Sequence, residues 1–284
     1  MKRKFHHINT LVLLIVLTIW QLFSPRIPVH ADFQDRPYSS DFSCNEYLML
    51  KEQVYVMEHQ DPASIDVNRY LSLKKAFSEY GQYISELKRM SDDELKSLNY
   101  LPSQIDAIRQ YDGSERLIMA AAATMSGTLY YSSPSYNSNT NKTTMTVSAK
   151  VYWNGVPFLK SGDNFAIALK GSSADFVRQS SYCKITYPDG SITYSSNYSQ
   201  VYGLGITYQF GISTDQTTVF TEALISYTGV AQGNVTVLEY AAAYAHLTYS
   251  IGNSIGLSIS STGSSISFSV SAYYSLMWNG SRVY

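Results

Sequence analysis

Histidine, cysteine, clustered positive charge and long apolar runs are all scarce in this chain of 284 residues, and each scarcity excludes a class of chemistry. Of the five histidines, His6, His7 and His30 lie in the first 31 residues, leaving His59 and His246. Two histidines so far apart cannot make a three-histidine site or an H-E-x-x-H helix, so the sequence predicts no metal centre and no cofactor. His246 sits in Tyr244-Ala245-His246-Leu247-Thr248, where a strand turns it away from Ala245 and Leu247, and reads as a surface or interfacial side chain.

Basic residues number 21 against 22 acidic ones, and Lys2, Arg3, Lys4 and Arg26 precede the first acid, so beyond residue 31 the balance is 17 to 22. A mildly acidic chain without a basic stripe does not suit phosphate backbones, which excludes a nucleic-acid partner. Charge also thins along the chain. Residues 32–116 hold 16 acidic and 10 basic side chains, residues 117–284 only 6 and 7, and the polar surface of the longer segment falls to Ser, Thr, Asn and 17 of the 25 tyrosines.

The apolar run Leu11 to Trp20, broken only by Thr18, follows the basic Lys2-Arg3-Lys4 and precedes Val29-His30-Ala31. About ten residues fall short of the roughly 20 that span a bilayer, so residues 1–31 read as a signal peptide cleaved after Ala31. The mature protein is then secreted, free or loosely associated with the cell wall, since no apolar tail or sorting motif precedes the end at Tyr284. In that oxidising setting the two cysteines, Cys44 and Cys183, are candidates for a disulfide; two buried thiols are the alternative.

What is present divides in two. Residues 32–43 are polar and read as a flexible N-terminus, and residues 44–123 as a small helical module. Its apolar residues recur at three and four, giving helices over about 43–59 and 65–89, the latter with a bend at Gly81. Ser91-Asp92-Asp93-Glu94 is a capping box, Asn99 a left-handed cap, Pro102 a helix start, and Ser114 the cap of a last helix. From residue 124 to 284 the period changes to two, as in Thr144–Val151, with turn residues about every ten positions. The fold class is α+β, a helical module followed by an antiparallel β-sandwich.

Ser91-Asp92-Asp93-Glu94-Leu95-Lys96-Ser97-Leu98-Asn99-Tyr100 and Gln104-Ile105-Asp106-Ala107-Ile108-Arg109-Gln110-Tyr111-Asp112-Gly113 together resemble a paired-helix segment of uncharacterised secreted proteins of Gram-positive bacteria. In that family a β-rich region follows, and glycine usually stands where this chain has Asn99. The resemblance implies secretion and brings no activity.

Three function classes stay open. For an enzyme, Gly252-Asn253-Ser254-Ile255-Gly256 fits the nucleophile-elbow string, but strand-like alternation follows it and no histidine comes after His246. Cys183 with His246 lacks a nucleophile signature. Paired carboxylates for hydrolysis of a wall or matrix polymer would come from Asp163, Asp175, Asp189, Asp215, Glu222 and Glu239; Asp163 and Asp189 read as turn residues. For a non-enzymatic extracellular or cell-surface binding protein, the favoured class, tyrosines and tryptophans supply flat amphipathic surfaces. Trp153-Asn154-Gly155 and Trp278-Asn279-Gly280 read as tryptophans beside exposed turns, which makes Trp153, Trp278, Tyr273 and Tyr274 the candidate ligand-binding residues. The expected partner is a cell-wall glycan or another surface protein. The third class is a membrane-active, pore-forming protein, suggested by Ser and Thr alternating with apolar residues over Gly256–Val270; otherwise the membrane is met only through the signal peptide.

Overall fold

Polar side chains alternating with Met, Val and Ala build a strand of 13 residues, Lys142–Asn154, and the sandwich grows outward from it. In a computed structural model, the described residues are 38–39, 44–61, 63, 65–160, 162–212, 219–248, 255–263, 265–271 and 274–284, with backbone alone for 38–39 and 44. The expected signal peptide, and Ser254 of the G-x-S-x-G string, lie outside them.

Two short strands, β1 (Tyr38–Ser39) and β2 (Cys44–Asn45), precede the helices α1 (Glu46–Glu58), α2 (Val67–Leu87), α3 (Asp92–Ser97), α4 (Pro102–Gln110) and α5 (Glu115–Ala121). Of the start signals read from the sequence, the Ser91 capping box forms and Pro102 opens a helix, whereas Ser114 stands at the N-cap of α5 without a side-chain cap hydrogen bond. The Asn45 side chain accepts from Leu48 N at 3.1 Å, Asp66 caps α2, and Ser91 and Glu94 close the capping box. Asn99 takes φ +64°, the left-handed cap. The expected bend at Gly81 has a different explanation: α2 runs through this position, and a Cβ there would stand 2.6 Å from the Tyr111 hydroxyl. The glycine serves close packing. Within the expected flexible stretch 32–43, Tyr38–Ser39 pairs with Leu129 and Thr128.

The remaining strands are β3 (Thr124–Tyr131), β4 (Ser135–Asn137), β5 (Lys142–Asn154), β6 (Gly162–Gly171), β7 (Val177–Thr186), β8 (Ile192–Tyr194), β9 (Asn197–Val201), β10 (Gly205–Gly211), β11 (Glu222–Gln232), β12 (Leu238–Leu247), β13 (Leu257–Thr262), β14 (Ser265–Val270) and β15 (Tyr274–Val283). All pairings are antiparallel. The larger sheet runs β1-β3-β5-β11-β7-β8, with β2 on β3 and β4 on β5; the smaller runs β15-β12-β6-β10-β9; β13 and β14 pair only with each other. The protein is thus α+β, helices followed by an antiparallel sandwich. At Pro188-Asp189-Gly190, Gly190 has φ +81° and its N–H donates to Tyr187 O at 2.9 Å, closing the expected hairpin turn.

Between the sheets pack Val147, Val151, Ile225 and Tyr227 from one side and Phe165, Ile167, Tyr240 and Tyr244 from the other. The same core continues into the helices through Leu50, Tyr80, Ile84 and Ile108, so helices and sandwich bury one apolar interior. Gly127 lets the sheets close over a tryptophan, because a Cβ there would meet the Trp278 ring at 2.5 Å. The central strands β12 and β6 of the smaller sheet are buried on both faces: Ala166, Ala168, Ala243 and Ala245 point away from the main core and lie under the β13–β14 hairpin.

Two expectations fail here for geometric reasons. Cys44 pairs with Met125 on β3, while Cys183 on β7 pairs with Ile225 on β11. Four strand spacings of about 4.8 Å separate β2 from β7, roughly 19 Å, against the 7 Å limit between Cα atoms of a disulfide. Cys183 is accordingly a free, buried thiol. Trp278-Asn279-Gly280 is not a turn but the middle of β15, with Trp278 paired to Tyr244.

Candidate functional site

The ionisable groups most unlike their neighbours lie inside the protein. Glu46, Asp163 and His246 are fully buried, brought together by the first turn of α1 and by register: His246 on β12 stands opposite Asp163 on β6. His246 Nδ1 donates to Asp163 Oδ1 at 2.7 Å, Leu247 N donates to the same oxygen at 3.1 Å, and the Tyr244 hydroxyl donates to Asp163 Oδ2. On the other side Glu46 accepts from Phe158 N at 2.8 Å, Leu159 N at 2.9 Å and the Tyr80 hydroxyl at 2.8 Å. His246 Nε2 lies 3.7 Å from Glu46 Oε1, an ion pair too long for a hydrogen bond.

Burial alone opposes a charged imidazole, but the attraction of Asp163, its hydrogen bond and the facing Glu46 outweigh that and lift His246 to about 10. At neutral pH the ring is therefore a cation between two carboxylates, with its edge toward Trp153 at 5.3 Å between centroids. Burial and the adjacent carboxylates push the Tyr80 and Tyr244 hydroxyls well above the usual tyrosine range, keeping them neutral donors. Every carboxylate oxygen in the cluster is spoken for, and no member reaches solvent. The arrangement ties α1 to the sandwich; it has no opening for a substrate.

This overturns two sequence readings. His246 is not at the surface, because β12 is a central strand covered on both faces, and Asp163 is not a turn residue but an interior one. Nothing in the sequence links positions 83 apart; only the register does.

The other candidate groups are dispersed. Glu222 pairs with Lys150 at 2.8 Å on the outer face of the larger sheet, whereas Glu239, on the outer face of the smaller, accepts from Ile266 N at 3.1 Å. They point away from each other and frame no cleft. Burial raises the Cys183 thiol far above its usual range, so it is no nucleophile. Trp153, Trp278 and Tyr274 are in the core at 1%, 0% and 3% exposure, contrary to the exposed turns expected of them, and Tyr273 lies outside the described residues. Among the described residues no three His, Cys, Asp or Glu are grouped to hold a metal.

Aromatic residues do reach the surface elsewhere. The outer face of β3-β5-β11-β7 places Tyr130, Ser148, Ser226 and Tyr182 in one cross-strand row and Thr128, Lys150, Leu224, Lys184 and Tyr194 in the next. Tyr130, Tyr182 and Tyr194 are exposed, as is Tyr152 beside them on β5. The floor between the tyrosines is hydroxyl-bearing: Ser148 donates to Ser226 at 2.9 Å, and Thr146 and Thr228 are 2.9 Å apart. Three strand spacings put Tyr130 and Tyr182 about 14 Å apart across this floor. Tyr130 and Tyr152 went unremarked in the sequence, although both fall on the polar phase of their strands, which is the signal that finds them.

No family model matches the chain, and no curated protein does. Among solved structures, the backbone protein of the group B streptococcus pilus 2b is similar at 11% identity over 40% of this chain and 50% of that one, with a TM-score of 0.26. This chain thus spans half the length of that protein. The collagen-binding subdomain of the Enterococcus faecalis surface protein ACE is similar at 11% identity over 55% of this chain and 94% of that one, TM-score 0.27. A third is the KRT10-binding region domain of the pneumococcal serine-rich repeat protein PsrP, at 15% identity over 43% and 87%, TM-score 0.23. Likenesses of this size carry no argument about fold or function.

Proposed function

We propose that the protein is an exported, non-enzymatic binding protein, and that the outer face of β3-β5-β11-β7 takes a neutral glycan of the cell wall. One observation carries this reading: a broad sheet face on which exposed tyrosines frame a floor of partly exposed hydroxyls, Thr146, Ser148 and Thr228. In its two central rows the ionic side chains are Lys150, which pairs with Glu222, and Lys184; the rest are hydroxyl-bearing, aromatic or apolar. Tyrosine rings stack on the apolar faces of sugars, and serine and threonine hydroxyls exchange hydrogen bonds with sugar hydroxyls.

Co-sedimentation with isolated cell walls tests it. Binding is expected to survive protease treatment of the walls, to be lost on periodate oxidation of their sugars, and to weaken in Tyr130→Ala and Tyr182→Ala. Binding that protease abolishes and periodate spares would refute the glycan reading in favour of another surface protein. Tryptophan fluorescence is a poor reporter of such binding, since Trp153 and Trp278 are buried.

A further inference from the structure

From Leu247 to Ser281 the chain contains no Asp, Glu, Lys or Arg. The β13–β14 hairpin lies within this stretch and has two unlike faces. Leu257 pairs with Val270, Ile259 with Phe268 and Ser261 with Ile266 on one face; Ser258 with Ser269, Ser260 with Ser267 and Thr262 with Ser265 on the other. The apolar face rests on Ala166, Ala168, Ala243 and Ala245, and the serine face is exposed.

The attachment is by packing: Leu257 and Ile259 are buried on the alanine face, while among the described residues neither hairpin strand pairs with the sandwich. Polar pins add to this: Asn164 Oδ1 accepts from Gly256 N at 2.7 Å and Leu257 N at 3.1 Å, and Glu239 accepts from Ile266 N. Lifting the hairpin therefore breaks no sheet. A lone two-stranded hairpin is marginal in water and needs an apolar surface beneath it, which lipid supplies as well as alanine does. Soluble proteins guard open strand edges with charge, and this hairpin has none. In the sequence the apolar phase runs on by one position beyond each strand, to Ile255 before β13 and Ala272 after β14. Each arm is then about eight residues, close to the roughly 9–11 of a transmembrane strand.

We propose that the β13–β14 hairpin is a releasable membrane-contacting element, which leaves the alanine face and inserts with its apolar side to lipid and its serine side to water. Open strand edges are not tolerated in hydrocarbon, so inserted hairpins from several copies must close a barrel with a hydroxyl-lined, uncharged lumen. This activity is independent of glycan binding by the larger sheet.

The test uses the full mature protein and vesicles of equimolar phosphatidylcholine and phosphatidylglycerol loaded with a self-quenched dye. Single cysteines replace Ile266, Ser267, Phe268 and Ser269 in a Cys44→Ser background, each carrying an environment-sensitive label; Cys183 is buried. With vesicles, labels at 266 and 268 are expected to be quenched by nitroxide lipid, those at 267 and 269 by aqueous iodide, and the vesicles to leak. Ser267→Asp, an exposed change in the folded protein, is expected to make the leak cation-selective. Labels unchanged by vesicles without leakage would overturn the proposal. So would labels that change without lipid as the protein dimerises, which indicates hairpin exchange between copies, or a leak indifferent to Ser267→Asp.

Discussion

Glu46→Ala probes the junction between the helices and the sandwich most sharply. The substitution deletes the acceptor for three donors, Phe158 N, Leu159 N and the Tyr80 hydroxyl, and one of the two carboxylates facing His246. A buried donor left unpaired costs about 1–3 kcal/mol, and breaking a buried ion pair from one side about 3–5. These terms overlap because water can enter the vacated space, so the expected loss is about 4 kcal/mol, a large share of a typical domain's stability. Glu46→Gln keeps shape and one acceptor and should lose about 2 kcal/mol. Urea unfolding followed by tryptophan fluorescence suits the measurement, because Trp153 packs against His246 and reports the cluster directly. The pH profile adds a second check. His246 is raised on folding from 6.5 to about 10, so its stabilisation is complete below pH 6.5 and is lost as pH climbs through 10. Between pH 6.5 and 10 that decline should amount to a few kcal/mol, shift to lower pH in Glu46→Gln and vanish in His246→Gln; above pH 10 the buried tyrosines add a decline of their own. A Glu46→Ala protein within about 0.5 kcal/mol of wild type, or a wild-type profile whose decline below pH 10 persists in His246→Gln, would refute the reasoning.

Other outcomes follow from single contacts. Gly127→Ala pushes a methyl into the Trp278 ring and should lower stability by about 1–3 kcal/mol in the same assay; a neutral result would mean the sheets separate freely there. Asn164→Ala removes the acceptor for Gly256 N and Leu257 N, so amide exchange should accelerate in β13 and β14 while β5 and β11 stay protected. Equal acceleration in both regions would show that the hairpin is integral to the sandwich. Ser91→Ala should cost about 1 kcal/mol through the lost cap of α3, read as a lower urea midpoint.

Local rules made much of the fold legible. The capping box at Ser91, the left-handed Asn99, Pro102 at a helix start and the Asp189-Gly190 turn depend on neighbours within four residues, and the alternation of Thr144–Val151 needs only one buried face. Readings that needed long-range placement failed. Trp-Asn-Gly has the composition of a turn, yet at 278–280 pairing with β12 overrides it, and at 153–155 the tryptophan ring is buried against His246. His246 alternates as though half-exposed, but both faces of β12 are covered, one of them by the β13–β14 hairpin, whose return over the sheet no local pattern announces. Conversely, the hydroxyl face is present in the sequence as the polar phase of β3, β5, β11 and β7, but only the pairing order sets these four strands side by side.

Calorimetric titration of purified wall polysaccharide into the mature protein tests the central claim most directly, comparing wild type with the Tyr130→Ala, Tyr182→Ala double variant. Each exposed ring is worth about 1 kcal/mol of stacking, so together roughly thirtyfold in Kd, with no change in urea midpoint. Loss of affinity at unchanged stability is the expected result. Equal affinity in the two proteins, or no heat with any wall polysaccharide, would contradict a glycan-binding role for this face.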